Sequence, residues 1–122
     1  MFKFSENSLK KLEGVVPKLR MVVERALSIS EVDFSITEGV RSLERQKELV
    51  AAKKSQTMRS YHLRGAAVDV AAFIDGKLSW DFKHYEKINE AFQEAAKELD
   101  VTITWGGSWK TLKDGCHFQI EE

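Results

Sequence analysis

The chain predicts an α+β fold with a mainly antiparallel sheet, and three features of the sequence predict it. Two segments carry apolar residues at helical spacing, Leu19-Val22-Val23-Ala26-Leu27 and Tyr85-Ile88-Phe92-Ala95-Ala96-Leu99. Residues 32–38 instead alternate, with Val32, Phe34 and Ile36 apolar and Asp33, Ser35 and Thr37 polar, the period of a half-buried strand. Asp75-Gly76 then follows a second strand-like run and signals a tight hairpin, a connection open only to antiparallel neighbours. Interleaved helices and strands would also suit a doubly wound parallel sheet, but the hairpin favours the antiparallel one.

Taken in order, Pro17 suits the first turn of a helix, where its missing N–H costs nothing. That helix carries the first apolar stripe, and the strand 32–38 follows it. Ser42 is a plausible N-cap, with Glu44 in the first turn, for a helix carrying Leu43, Leu49 and Val50. Residues 53–59 are polar and read as a loop. Residues 66–74 form a second strand whose small residues suit a crowded interior, and residues 77–79 its return strand. Asp81 can cap the long third helix. Residues 101–104 make a short strand, 105–113 a glycine-containing loop, and 117–120 a final strand.

The 122 residues fit one domain, 1–122, large enough to bury a core without disulfides. Nineteen basic residues balance nineteen acidic ones, so the net charge is zero and no basic stripe points to nucleic acid. A single cysteine, Cys116, excludes an internal disulfide and fits a reducing cytoplasm. The segment from Met1 to Asn7 lacks the apolar region of a signal peptide. No apolar run approaches the roughly 18 residues that a membrane span requires.

The chemistry concentrates in two places. His62 and Asp69 fall within Ser60-Tyr61-His62-Leu63-Arg64-Gly65-Ala66-Ala67-Val68-Asp69, and His117 closes Asp114-Gly115-Cys116-His117. Two histidines and a carboxylate can hold a zinc ion and leave its fourth position to water, the pattern of catalytic rather than structural zinc. Strand alternation puts Val68 and Val70 on one face and Asp69 on the other; likewise Phe118 and Ile120 oppose His117 and Gln119. If the valines, Phe118 and Ile120 fill the core, Asp69 and His117 share the opposite face. Gly65 permits a turn that brings His62 over that face. Taken singly, each of these residues has an ordinary alternative: a surface or hydrogen-bonded histidine, or an edge aspartate. Their combined pattern is what carries weight.

That pattern, Ser60-x-His62-x-x-Gly65-x-Ala67-x-Asp69 followed by Asp114-x-x-His117, resembles the signature of the zinc D-Ala-D-Ala carboxypeptidase and L-alanyl-D-glutamate endopeptidase family, and within it the phage endolysin branch. Glu38-Gly39-Val40-Arg41-Ser42, Glu44-Arg45-Gln46, Trp105-Gly106-Gly107-x-Trp109, the opening Phe4-Ser5-Glu6-x-Ser8-Leu9 and Val32-Asp33-Phe34 extend the resemblance over nearly the whole chain.

The resemblance implies the small α+β fold of the hedgehog and D,D-peptidase type, with His62, Asp69 and His117 binding zinc. It makes Asp114 the acid/base that takes a proton from the metal-activated water and delivers one to the leaving amine. Arg41 would stabilise the oxyanion or hold a substrate carboxylate; a surface ion pair with Glu38 or Glu44 is its alternative. Ser60 would bond a ligand or the substrate, or merely cap a turn. Trp105 would line the groove, as would Trp109 unless both are core aromatics. Cys116 stands where an inert residue is expected, and alternation turns it away from His117 as a small buried hydrophobe. His84, on the third helix, faces solvent.

The implied substrate is the stem peptide of peptidoglycan, cut between L-alanine and D-glutamate. A D-alanyl-D-alanine carboxypeptidase or dipeptidase and a catalytically silent zinc domain that binds the wall are the alternatives. Asp114 speaks against the silent domain, since a structural site needs no base. The length leaves no room for a separate wall-binding domain. A monomer is expected, made in the cytoplasm and released to the wall through a membrane lesion that another protein makes.

Overall fold

Pro17 opens a 13-residue helix, α2 (Pro17–Ile29), and places Leu19, Val22, Val23, Ala26 and Leu27 on its buried side. This is the predicted stripe. The computed structural model describes residues 2–39, 48, 51, 65–108 and 114–121. Before α2 lies a short helix, α1 (Glu6–Lys11), which the sequence reading leaves out. Ser5 caps it by accepting from the Ser8 backbone N–H at 3.2 Å. Ser8 itself is buried, and its hydroxyl accepts from Ile36 N–H at 3.0 Å, which ties α1 to the sheet.

The strands are β1 (Asp33–Glu38), β2 (Ala67–Ile74), β3 (Lys77–Ser79), β4 (Thr102–Trp105) and β5 (His117–Glu121). Between β3 and β4 runs the long helix α3 (Phe82–Leu99), and a 3-10 turn over Gly106–Ser108 follows β4. Among the described residues every pairing is antiparallel, in the order β1-β2-β5-β4, with β3 also on β2. Asp75 and Gly76 both take positive φ, 52° and 79°, and form the predicted hairpin turn between β2 and β3. β1 meets β2 through an irregularity between Ile36 and Glu38, which leaves Glu38 opposite Asp69. The predicted α+β class with an antiparallel sheet is the class observed.

Asp81 accepts from Lys83 N–H at 3.2 Å at the start of α3, as predicted, and Asp100 closes the helix in the left-handed conformation at φ 56°. Both long helices pack on one face of the sheet. Val68, Val70, Phe34, Ile36, Phe118 and Ile120 from the strands meet Leu19, Val22, Val23, Ile88 and Phe92 from the helices in one core cluster. Phe92 and Phe118 stack at 3.9 Å between ring centroids. Outside the core, Arg25 and Glu98 join α2 to α3 by a two-pronged ion pair at 3.0 and 3.1 Å. The predicted helix after Ser42 and the loop 53–59 lie outside the described residues, apart from Glu48 and Ala51, which are helical.

Candidate metal centre

Alternation along β2 and β5 has the predicted consequence. Val68 and Phe118 are register partners and point into the core; Asp69 and His117 are the next pair and point to the other face. Ala67 and Ala71 share the face of Asp69 and lie outside the core cluster, although both are buried. On that face His117 Nδ1 stands 3.2 Å from Asp69 Oδ1, and the histidine is only 8% exposed.

The second nitrogen of His117 is also engaged. Nε2 lies 2.8 Å from Gln119 Oε1, and the Gln119 amide nitrogen donates to Glu121 Oε1 at 2.8 Å. Burial opposes a charge on His117, but the bond and charge of Asp69, with Gln119 and Asp114, outweigh it and raise its pKa above the ordinary value.

Asp114 reaches the same place on a turn that the backbone and one indole hold together. Asp114 N–H donates to Gly106 O at 3.0 Å, and His117 N–H donates to Asp114 O at 3.1 Å. The Trp105 indole N–H donates to Gly115 O at 2.7 Å, while its ring packs on Phe82 at 5.2 Å between centroids. Trp105 thus supports the turn that carries Asp114, a part the sequence does not reveal. Gly106 is required here: a Cβ would strike the Asp114 carbonyl oxygen and press on the Cβ atoms of Asp114 and His117, both at 3.1 Å.

Cys116 meets the sequence expectation in part: it packs against the core as a small hydrophobe, but by another route than alternation. β5 begins at His117, so strand alternation does not govern Cys116, which sits in the preceding turn. It is half-buried, and its thiol donates to Asp114 Oδ1 at 3.0 Å. Burial pushes this thiol well above its ordinary pKa, and the carboxylates of Asp69 and Asp114 push it further. His84 differs too: it is half-buried, with Nδ1 2.7 Å from Ser79 Oγ.

Asp69, Asp114 and Cys116 offer ligand atoms that all lie within 4.8 Å of one another, and Asp69 adds His117 at 3.2 Å. The described residues thus carry a cluster able to hold a metal ion. The donors fit a small divalent ion. Two ligand atoms about 2.0–2.1 Å from a tetrahedral zinc stand about 3.3–3.4 Å apart, close to the Asp69–His117 separation. Gln119 engages the far nitrogen of His117, as outer partners of metal-bound histidines do. Arg41, Ser60, His62 and Trp109 lie outside the described residues. Gly65, which follows the His62 segment, adopts φ 73° where a Cβ would strike the Gly14 carbonyl oxygen, and its own carbonyl accepts from Val16 N–H at 2.8 Å.

Comparison with known proteins agrees with this geometry. The family model described as phage L-alanyl-D-glutamate peptidase matches residues 1–119. An L-alanyl-D-glutamate peptidase of Escherichia phage T5 is 36% identical, over 93% of this chain and 85% of its own length. The peptidoglycan L-alanyl-D-glutamate endopeptidase CwlK of Bacillus subtilis is 31% identical, over 89% of this chain and 73% of its own. The L-alanyl-D-glutamate peptidase of Listeria phage A118 is 30% identical over 96% of this chain, which spans only 42% of that longer protein. Among solved structures, the L-Ala D-Glu endopeptidase ChiX of Serratia marcescens superposes with a TM-score of 0.93 at 48% identity, covering 98% of this chain and 90% of ChiX. With the family match running across the sheet, both long helices and the Asp114–His117 turn, the chain belongs to the phage L-alanyl-D-glutamate peptidase family, a family of peptidoglycan-hydrolysing enzymes.

Proposed function

We propose that the protein is a zinc-dependent endopeptidase that cuts the L-alanyl-D-glutamate bond of the peptidoglycan stem peptide. The observation that carries the metal assignment is the Asp69–His117 pair, a carboxylate and an imidazole at zinc-ligand spacing with the far imidazole nitrogen engaged by Gln119. His62 is the third ligand in this reading, on the strength of its motif.

Zinc, when bound, supplies Lewis acidity, which acidifies water and polarises a carbonyl oxygen. The remaining work falls to the chain. Asp114 accepts a proton from the attacking water as the water oxygen bonds to the alanyl carbonyl carbon. As the C–N bond breaks, Asp114 returns that proton to the departing glutamyl nitrogen, so water is consumed and no proton is lost. The Cys116 thiol, bonded to Asp114 Oδ1, orients the carboxylate for both transfers. Arg41 stabilises the negative charge that develops on the carbonyl oxygen, and Ser60 supports a ligand or the substrate.

No helix among the described residues is long and apolar enough to cross a membrane. We further propose that the protein is monomeric and reaches the wall through a lesion made by a separate membrane-permeabilising protein.

The test is mass spectrometry of muropeptides digested by zinc-loaded protein, with and without chelator. Stem peptides with a new amino-terminal D-glutamyl or D-isoglutaminyl residue, lost with chelator, are expected. Release of free D-alanine would replace the endopeptidase reading with a carboxypeptidase one. No chelator-sensitive product from several wall chemotypes would leave a wall-binding domain without activity.

A further inference from the structure

We propose that Gln119 and Glu121 are positioning residues that fix which nitrogen of His117 carries the proton, and so keep Nδ1 open to the metal. This inference rests on the zinc reading above.

The argument starts from the strand. His117, Gln119 and Glu121 alternate onto one face of β5, while Phe118 and Ile120 are locked in the core. Their side chains form one chain of hydrogen bonds, 2.8 Å from His117 Nε2 to Gln119 Oε1 and 2.8 Å from the Gln119 amide nitrogen to Glu121 Oε1.

The polarity of this chain follows from its last member. An ionised carboxylate only accepts, so Glu121 draws the NH2 end of the Gln119 amide toward itself. The amide oxygen must then face His117, and an oxygen facing a ring nitrogen requires that nitrogen to donate. Neutral imidazole, the form that binds a metal, has one N–H, and Gln119 places it on Nε2. Nδ1 is left with its lone pair directed to the side of Asp69.

The pull of Asp69 makes this arrangement necessary. A carboxylate 3.2 Å from Nδ1 favours a proton on Nδ1, as the acceptor of a charge-assisted bond. A proton there would occupy the lone pair that a metal needs. The Gln119–Glu121 chain sets a second acceptor against that pull, at the opposite nitrogen. It lies along a strand whose alternate residues are immobilised in the core, so it is already in place when the metal arrives.

The test uses the full chain loaded with zinc, read by zinc affinity in chelator competition and by the exchange protection of the His117 Nε2–H in proton NMR. Gln119→Met keeps the volume but removes the acceptor. It is expected to weaken zinc binding by about 10–100-fold and to expose the Nε2–H to rapid exchange. Glu121→Ala frees the amide to turn over and should fall between parent and Gln119→Met in both readouts. The exchanged double variant Gln119→Glu with Glu121→Gln rebuilds the chain with its acceptor on the histidine side, and should recover both affinity and protection. Parent affinity in Gln119→Met, or no recovery in the double variant, overturns the proposal. A parent that binds no zinc overturns the zinc reading itself, and this inference with it.

Discussion

The indole N–H of Trp105 donates to the carbonyl of Gly115 at 2.7 Å, and so an aromatic residue at the end of β4 holds the turn that presents Asp114. Trp105→Phe keeps an aromatic ring on Phe82 but leaves that carbonyl without its indole donor. We expect a stability loss of about 1 kcal/mol and a lower kcat, with zinc content unchanged. Thermal melts alongside muropeptide cleavage rates check this; an unaltered kcat would show that the turn keeps its shape without the indole.

Asp114→Asn retains the shape of the side chain and can still bond Cys116, but cannot take up a proton from water. Zinc stoichiometry should match the parent, while cleavage falls by about two to four orders of magnitude. Cleavage at the parental rate would remove Asp114 from the mechanism.

The ligand set makes a separate prediction. Asp69→Asn and His117→Ala each remove one of the paired donors and should weaken zinc binding by more than the ~10–100-fold typical of losing an outer partner. His62→Ala should do the same. Elemental analysis after dialysis gives the stoichiometry; a full zinc complement in the His62 variant would mean that the third ligand has been assigned to the wrong residue.

Gly106→Ala tests the close approach beneath the Asp114–His117 turn. The added methyl meets the Asp114 carbonyl oxygen, so the turn must move. We expect destabilisation of about 1–3 kcal/mol and impaired cleavage, read by denaturant unfolding and activity. A variant as stable and active as the parent would show that the loop absorbs the methyl.

Acid should weaken the clasp between α2 and α3. The hydrogen bond from Arg25 is the main cause that holds Glu98 below the ordinary carboxylate pKa; burial opposes it, and the Arg25 charge adds to the lowering. A carboxylate depressed in the folded state stabilises fully above its unfolded pKa, and that contribution disappears as pH falls through the folded value. The Tm gap between parent and Glu98→Gln, small because the pair is exposed, should therefore exist at neutral pH and close in strong acid. A gap that widens in acid would contradict the assignment.

Much of this architecture is legible in the sequence because its period is strong. The α2 and α3 stripes, the Asp75-Gly76 hairpin and the opposed faces of Val68 and Asp69 all follow from side-chain geometry that local sequence controls. What escapes it has physical causes. Helix α1 spans six residues, too few to display a period, and only Ser5 followed by Glu6 announces it. Cys116 lies one residue before β5, so strand alternation does not set the direction of its side chain. The service of Trp105 to Gly115 and the Gln119–Glu121 chain depend on which polar atoms meet in space, and no spacing rule encodes that. Arg41, Ser60 and His62 rest on motif alone, since they lie outside the described residues.

Asp69 and His117 are 48 residues apart in the chain, and they meet only where β2 and β5 pair. Closing so long an excursion is among the slower events in folding, because the entropy of closure is spent before any contact rewards it. During synthesis β2 leaves the ribosome well before β5, so a growing chain holds Asp69 without its partner. The two side chains therefore come together only when β5 docks beside β2.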